Sequence, residues 1–277
     1  MLLVLSLAFA APPTLVDPGE APHTLLAPAP AEGTVQRARL RLELSARSKH
    51  DGAPVPTDAL PPLGLDLAAE VTAASPLAYR VTVEGVSVDG GEEGLREAMS
   101  AALKPLVGLT GEVRATSDGP DVSWSPTHGA DPELRTEVTK ALQVLAVPLP
   151  AAPVGVGASW TVTRPVQSAL PVTQHETWTV HASDDGRVEL HAQVRQEATL
   201  GQAVEQGLPE GATGTLTKHL SLGETRVVLD PRKPLPVEIA EGMTTKYTVE
   251  LVTDEATTEL VSIVGYQLSL TERPPSP

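Results

Sequence analysis

Cysteine is absent from all 277 residues. That excludes disulfides, thiolate metal sites, thiol nucleophiles and a lipid anchor attached through an N-terminal cysteine. Asparagine is absent too, so the chain offers no N-glycosylation acceptor. Aromatics make up 3% of the residues. The one phenylalanine is Phe9; the other rings are Tyr79, Trp124, Trp160, Trp178, Tyr247 and Tyr266. A core must therefore come mainly from Leu, Val and Ala, and stacked platforms for sugars are not expected. Basic charge is scarce: 20 Lys and Arg face 35 Asp and Glu, for a net charge of −15. Nucleic acid and anionic lipid headgroups both call for a basic face, so neither is an expected partner.

Long hydrophobic runs are also missing. The apolar stretch over residues 1–11 is too short for a membrane-spanning helix, which needs about 20 residues, and no stable membrane span is expected. The stretch ends in Ala8-Phe9-Ala10, a small-x-small pattern, with no basic residue ahead of it. It reads as a secretory signal peptide over residues 1–10, implying an exported protein, periplasmic or extracellular, soluble once cleaved. Residues 11–34 are rich in Pro and Ala without periodicity and predict a disordered leader. Residues 273–277 form a Pro-rich tail.

What remains is a single β-rich domain over 35–272, large enough to bury roughly 70–75% of its unfolded surface without staples. A sub-domain boundary near 148 is the alternative. In Arg39-Leu40-Arg41-Leu42-Glu43-Leu44, leucine alternates with charge, the period of a half-buried strand. Further strands are expected near 64–74 and 77–88, then 109–115 and 121–125 around Asp118-Gly119. In the C-terminal half they are expected near 158–164, 172–183, 186–199, 213–222, 225–230, 235–241, 243–253 and 258–271. Asp184-Asp185-Gly186 and Gly223-Glu224 read as tight turns, with Glu241-Gly242 and Asp254-Glu255 as further ones. Two helices interrupt this pattern. Residues 92–105 carry Leu95, Met99, Leu103 and Leu106 at helical spacing. A second helix opens at Asp131-Pro132 and carries Leu134, Val138, Ala141, Leu142 and Leu145. The fold class that follows is β-rich α+β: a large curved antiparallel sheet, half-barrel-like, covered by two amphipathic helices.

Two segments carry a family resemblance. Pro153-Val-Gly155-Val-Gly157-Ala-Ser159-Trp160 and Val227-Val-Leu-Asp230-Pro231-Arg-Lys-Pro234-Leu235-Pro236 resemble turns of uncharacterised exported bacterial proteins. The order of strands, helix and meander resembles that of the periplasmic lipoprotein carriers of the LolA/LolB type, over about 35–270. That resemblance implies a half-barrel holding acyl chains under its helices, hence a lipid or lipidated protein as partner.

Catalytic motifs do not emerge. The Gly155–Ser159 segment lacks the spacing of a nucleophile elbow, and His175-Glu176 lacks the second histidine of a zincin. His175, His181 and His191 share a strand pair, and two imidazoles with Glu176 or Glu189 could hold Zn²⁺. Glu176 and His175, however, point to opposite faces of a regular strand, and solvent-facing polar side chains are the plainer reading. No metal or other cofactor is expected.

The leading expectation is non-enzymatic binding of a hydrophobic ligand in a cavity lined by Leu95, Met99, Leu103, Leu134, Val138, Leu142, Trp160 and Trp178. The plain alternative at those positions is ordinary core. A structural or protein-interaction module without a pocket is the second reading, and a secreted hydrolase the third.

Overall fold

A computed structural model describes residues 6–7, 12–56, 60–116, 119–125, 131–167, 170–204, 208, 211–254 and 256–274. Most of the expected signal peptide, Asp118 and Glu255 of two expected turns, and the last residues of the tail lie outside these. In chain order the strands are β1 (Ser6–Leu7), β2 (Thr14–Asp17), β3 (Glu20–Thr24), β4 (Val35–His50), β5 (Ala53–Val55), β6 (Leu63–Ala74) and β7 (Leu77–Val88). Helix α1 (Glu93–Leu103) and a 3₁₀ turn (Lys104–Leu106) precede β8 (Thr110–Thr116) and β9 (Gly119–Trp124), and helix α2 (Pro132–Val144) follows. The second half comprises β10 (Val154–Val156), β11 (Ser159–Gln167), β12 (Val172–Asp184), β13 (Arg187–Ala198), β14 (Ala203–Val204), β15 (Thr213–Leu229), β16 (Glu238–Val252) and β17 (Thr257–Arg273).

Nearly all of these strands join one open antiparallel sheet in the order β1-β11-β12-β13-β15-β16-β17-β4-β6-β7-β8-β9. The pairing of β17 with β4 welds the C-terminal meander to the N-terminal one over fourteen residue pairs, from Leu260↔His50 to Arg273↔Arg37. One hydrophobic cluster runs from Leu40, Leu67 and Val81 to Trp160, Leu190 and Leu270, so both halves share a core. Strands β12 and β13 alternate buried and more exposed residues along most of their length, as strands of a sheet with one dry face must. No helix among the described residues is long and apolar enough to cross a membrane.

Helix α2 carries the larger share of the cover. Its Val138 and Leu142, with Leu145 just beyond, are buried in the core, and Thr139 accepts a 2.7 Å hydrogen bond from Trp124 Nε1 on β9. Helix α1 lies beside β7 and buries none of its residues; Leu95 and Met99 stay half-exposed.

Three expectations need correcting. Residues 14–24 of the leader are ordered: β2 pairs with β11, β3 pairs with β10, and Leu26 is buried in the core. Proline content hid this because these short strands sit at edges, where a missing N–H costs little. Gly223-Glu224 and Glu241-Gly242 are not turns. Both lie within long paired strands, with Gly223 opposite Met243 and Glu224 opposite Gly242. A Cβ on Gly223 would sit 2.7 Å from the Gly242 carbonyl oxygen, so glycine serves a close backbone approach there.

The two segments behind the resemblance are both corners. A Cβ at Gly155 would lie 1.7 Å from the Glu20 carbonyl oxygen, so β3 can cross β10 only over a glycine. The chain then turns at Gly157 to place Trp160 in the core, where it stacks on Trp178 with centroids 6.4 Å apart. The second corner joins β15 to β16. Buried Asp230 accepts from Arg232 Nε at 2.8 Å and from its backbone N–H at 3.0 Å. Buried Gln36 clamps the far side, donating to the Pro236 carbonyl and accepting from the Leu235 N–H.

Candidate functional site

The eight residues expected to line an apolar cavity divide between core and margin. Val138, Leu142, Trp160 and Trp178 are buried, with Trp160 at 0% exposure. Leu103 and Leu134 pack on the core half-buried, and Leu95 and Met99 lie on α1 as described above. Of the eight, only Trp178 borders either concavity described below. Trp160 Nε1 donates to the Pro148 carbonyl at 2.8 Å, so both its ring and its polar tip are accounted for by structure.

A polar cluster lies within the dry face instead. Gln174 and Glu176 share the strand parity of Val172, Trp178 and Val180 and are buried with them. The Glu176 side chain, 1% exposed, forms an ion pair with Arg164. It also accepts from Gln174 Nε2 and from Trp178 Nε1, each at 2.7 Å. Gln196 donates to Gln174 at 2.8 Å, and Ser221 donates to Gln196 at 3.1 Å. Tyr266 donates its hydroxyl to Glu241, whose carboxyl is pushed above its ordinary range by burial. The cavity beside this network measures about 20 Å³, enough for about one water and no more. Arg164 Nε is buried without a hydrogen-bond partner, but the carboxylate and amide groups of the network pair with one another, and around so small a space they specify packing rather than house a substrate. Parity counting along β12 could have revealed it, since the buried tryptophan fixes which residues face in.

The opposite face of the same strands is open. A trough of about 1760 Å³ crosses β12, β13, β15, β16, β17 and β4. Its floor is made of small residues, Ala240, Gly242, Gly265, Ser45 and Ser269. Longer side chains flank it: His175, His181, His191, Gln193, Arg195, Glu224 and Arg226 on one side, Arg41 and Glu43 on the other. Leu222 stands in it 53% exposed. The strand pairing explains the groove. Residues at matched register across β15, β16, β17 and β4 share one face: the row Glu224, Gly242, Gln267, Glu43 has its glycine on β16, and the next row, Leu222, Thr244, Gly265, Ser45, has its glycine on β17.

At one end of the trough three potential ligands converge. Strands β12 and β13 meet at the Asp185-Gly186 turn, where both residues have positive φ (49° and 75°) as a two-residue hairpin requires. The register shifts between Val180 and Ala182, leaving His181 as the extra residue of a bulge. His181 then stacks on His191, ring centroids 4.4 Å apart and nearly parallel at 7°. Glu189 Oε1 lies 2.7 Å from His191 Nε2 and accepts from Arg226 Nε at 2.8 Å. The Arg226 guanidinium first, and the His191 hydrogen bond second, hold the Glu189 carboxyl down to about 2. Arg226 also pairs with Glu238. His175 does not join this group; it lies within 3.2 Å of Thr163 Oγ1 and 3.8 Å from Glu197. Glu176 faces the core, as strand parity predicts.

Comparison with known proteins finds no matching family model, no matching curated protein and no matching solved structure.

Proposed function

We propose that this chain is a non-enzymatic binding protein that takes a polypeptide partner on the open face of its sheet. The carrying observation is the trough of about 1760 Å³, set against a dry face already filled by its own side chains. Its walls mix both signs of charge, from Arg41, Glu43, Arg195, Glu224 and Arg226, and Leu222 adds an apolar contact. Mixed charge beside Leu222, with Leu220 and Ile263 also exposed on the same face, suits a folded or extended protein segment. An acyl chain would need a dry lining. A glycan would need aromatic rings, and the one ring of Tyr or Trp bordering the trough is Tyr266, which is buried toward the core. The half-barrel reading is kept, with the ligand moved from its interior to its exterior. A place in the cell envelope belongs to the same proposal and rests on the apolar run over residues 1–11.

Gly242→Arg tests it. A Cβ at Gly242 has no neighbour closer than the Tyr266 carbonyl oxygen at 4.0 Å, so the new side chain fills the trough without disturbing the fold. Native mass spectrometry of protein purified gently from its source cells should show a bound polypeptide in the parent and a bare chain in the variant, with equal melting temperatures. A mass in the lipid range that both proteins retain would overturn the proposal in favour of an interior carrier. Equal polypeptide binding by both would also overturn it.

A further inference from the structure

We infer that His181, Glu189 and His191 form a binding site for one divalent transition-metal ion of the Zn²⁺ class, with a coordination position left open toward the trough. The ligand atoms of the three residues all lie within 4.8 Å of one another. A tetrahedral ion with bonds of about 2.0–2.1 Å holds its ligand atoms about 3.4 Å apart. The Glu189–His191 pair, at 2.7 Å, is already inside that spacing. The remaining closure is on the order of 1 Å, within reach of small side-chain rotations on half-exposed residues.

The strand geometry makes the cluster. Glu189 and His191 are two apart on β13 and share the open face by parity alone. His181 joins them because the bulge on β12 frees it from a regular partner. Two imidazoles and one carboxylate suit Zn²⁺, Cu²⁺ or Ni²⁺ and are a poor match for Mg²⁺ or Ca²⁺, which take oxygen ligands. Three protein ligands leave a fourth position to water or to a group on a bound molecule.

Arg226 opposes the ion by charge and favours it by geometry. Its guanidinium donates to Glu189 and fixes that carboxylate beside the histidines, as a supporting partner of a metal ligand does. Glu238 on its other side offsets the charge, so the group carries one net negative charge when the imidazoles are neutral. The overall charge of −15 further favours a cation at this surface. The inference does not depend on a partner filling the trough.

Titration calorimetry of the untagged full chain with ZnCl₂, and the absorption spectrum with CoCl₂, test it. The expected result is one equivalent bound, with Co²⁺ bands of nitrogen and oxygen ligation. His181→Ala and His191→Ala should each weaken binding by more than about 100-fold, beyond the roughly 10–100-fold that loss of a supporting partner costs. His175→Ala is the control. It lies on the same strand and face but about 20 Å along from His181, at roughly 3.3 Å per residue, and it should bind as the parent does. All four chains should melt alike, since the substituted residues are not buried. No saturable binding by the parent would overturn the site. So would affinity unchanged by His181→Ala and His191→Ala, or lost equally with His175→Ala.

Discussion

Strands β12 and β13 present two chemistries on alternate residues. On the dry side Glu176 is enclosed by Arg164, Gln174 and Trp178. On the wet side Glu189 is held by Arg226 and His191. Each carboxylate has a guanidinium and further hydrogen-bond partners, so their immediate contacts look alike. The surroundings differ. Charges interact far more strongly where water is excluded, and an enclosed charge that loses its partner has no solvent to replace it. The dry cluster should therefore govern stability, and the wet one should be free to govern recognition. Substitutions on the two faces measure that division.

The largest effect is expected from Glu176→Gln. It removes the negative charge and leaves Arg164, 15% exposed, without its counter-ion. Breaking one side of a buried pair costs about 3–5 kcal/mol. Urea denaturation of parent and variant reads this directly, and a loss below about 1 kcal/mol would mean that water reaches the pair. Trp178→Phe comes next. It keeps most of the stacked ring against Trp160 but deletes the indole N–H that serves Glu176. An enclosed acceptor left unpaired costs about 1–3 kcal/mol, and the same denaturation experiment should rank this variant between the parent and Glu176→Gln.

Glu241→Gln sharpens the comparison by changing sign. Burial raises the Glu241 carboxyl above its ordinary value, although the Tyr266 hydroxyl and Arg164 pull the other way. A carboxyl whose pKa is higher folded than unfolded binds its proton more tightly in the folded state. Stability then falls as pH rises from the ordinary carboxylate range through the raised value. The amide keeps an acceptor for Tyr266 and carries no charge, so the variant should be more stable than the parent at pH 7. The gain should vanish below the ordinary carboxylate range, where both side chains are neutral. Melting temperatures from pH 4 to pH 8 test this; a variant less stable at pH 7 would show that the ionised carboxylate is itself part of the network.

How far this division could be read from sequence follows from strand parity. Alternating leucines at 40, 42 and 44 announce β4, and Asp184-Asp185-Gly186 announces the hairpin between β12 and β13, because both depend on neighbours in the chain. The partnership of β17 with β4 depends on residues more than two hundred positions apart, and no local pattern encodes it. Gly223 and Gly242 mislead because glycine serves tight turns and close strand approach equally. The dry polar cluster was within reach, since Trp178 fixes the parity of Gln174 and Glu176. The convergence of His181 with His191 and Glu189 was only half within reach. Parity places the last two together, but a bulge at His181 is a register event that the side-chain pattern does not announce. The ordering of residues 14–24 likewise depends on edges of the sheet supplied by the second half of the chain.

The smallest effect on stability is expected from Glu189→Gln, for the reason that makes Glu189 available to a ligand. Its carboxyl is held down to about 2, chiefly by the Arg226 guanidinium. A carboxyl with a depressed folded pKa contributes stability above its ordinary, unfolded value near 4.3–4.5, and loses it as pH falls through the folded value of about 2. Both partners face solvent, where screening and side-chain entropy consume most of such a contribution. At pH 7 the variant should therefore melt within a degree or so of the parent, the scatter expected of neutral surface changes. What difference remains should shrink as pH falls from about 5 toward 2, as the parent carboxyl takes up its proton. High salt should shrink it too, whereas the loss in Glu176→Gln should persist because salt screens enclosed pairs much less. If Glu189→Gln instead destabilised the chain as much as Glu176→Gln at high salt, the open face would be part of the folding core. The separation of recognition from stability between the two faces would then fail.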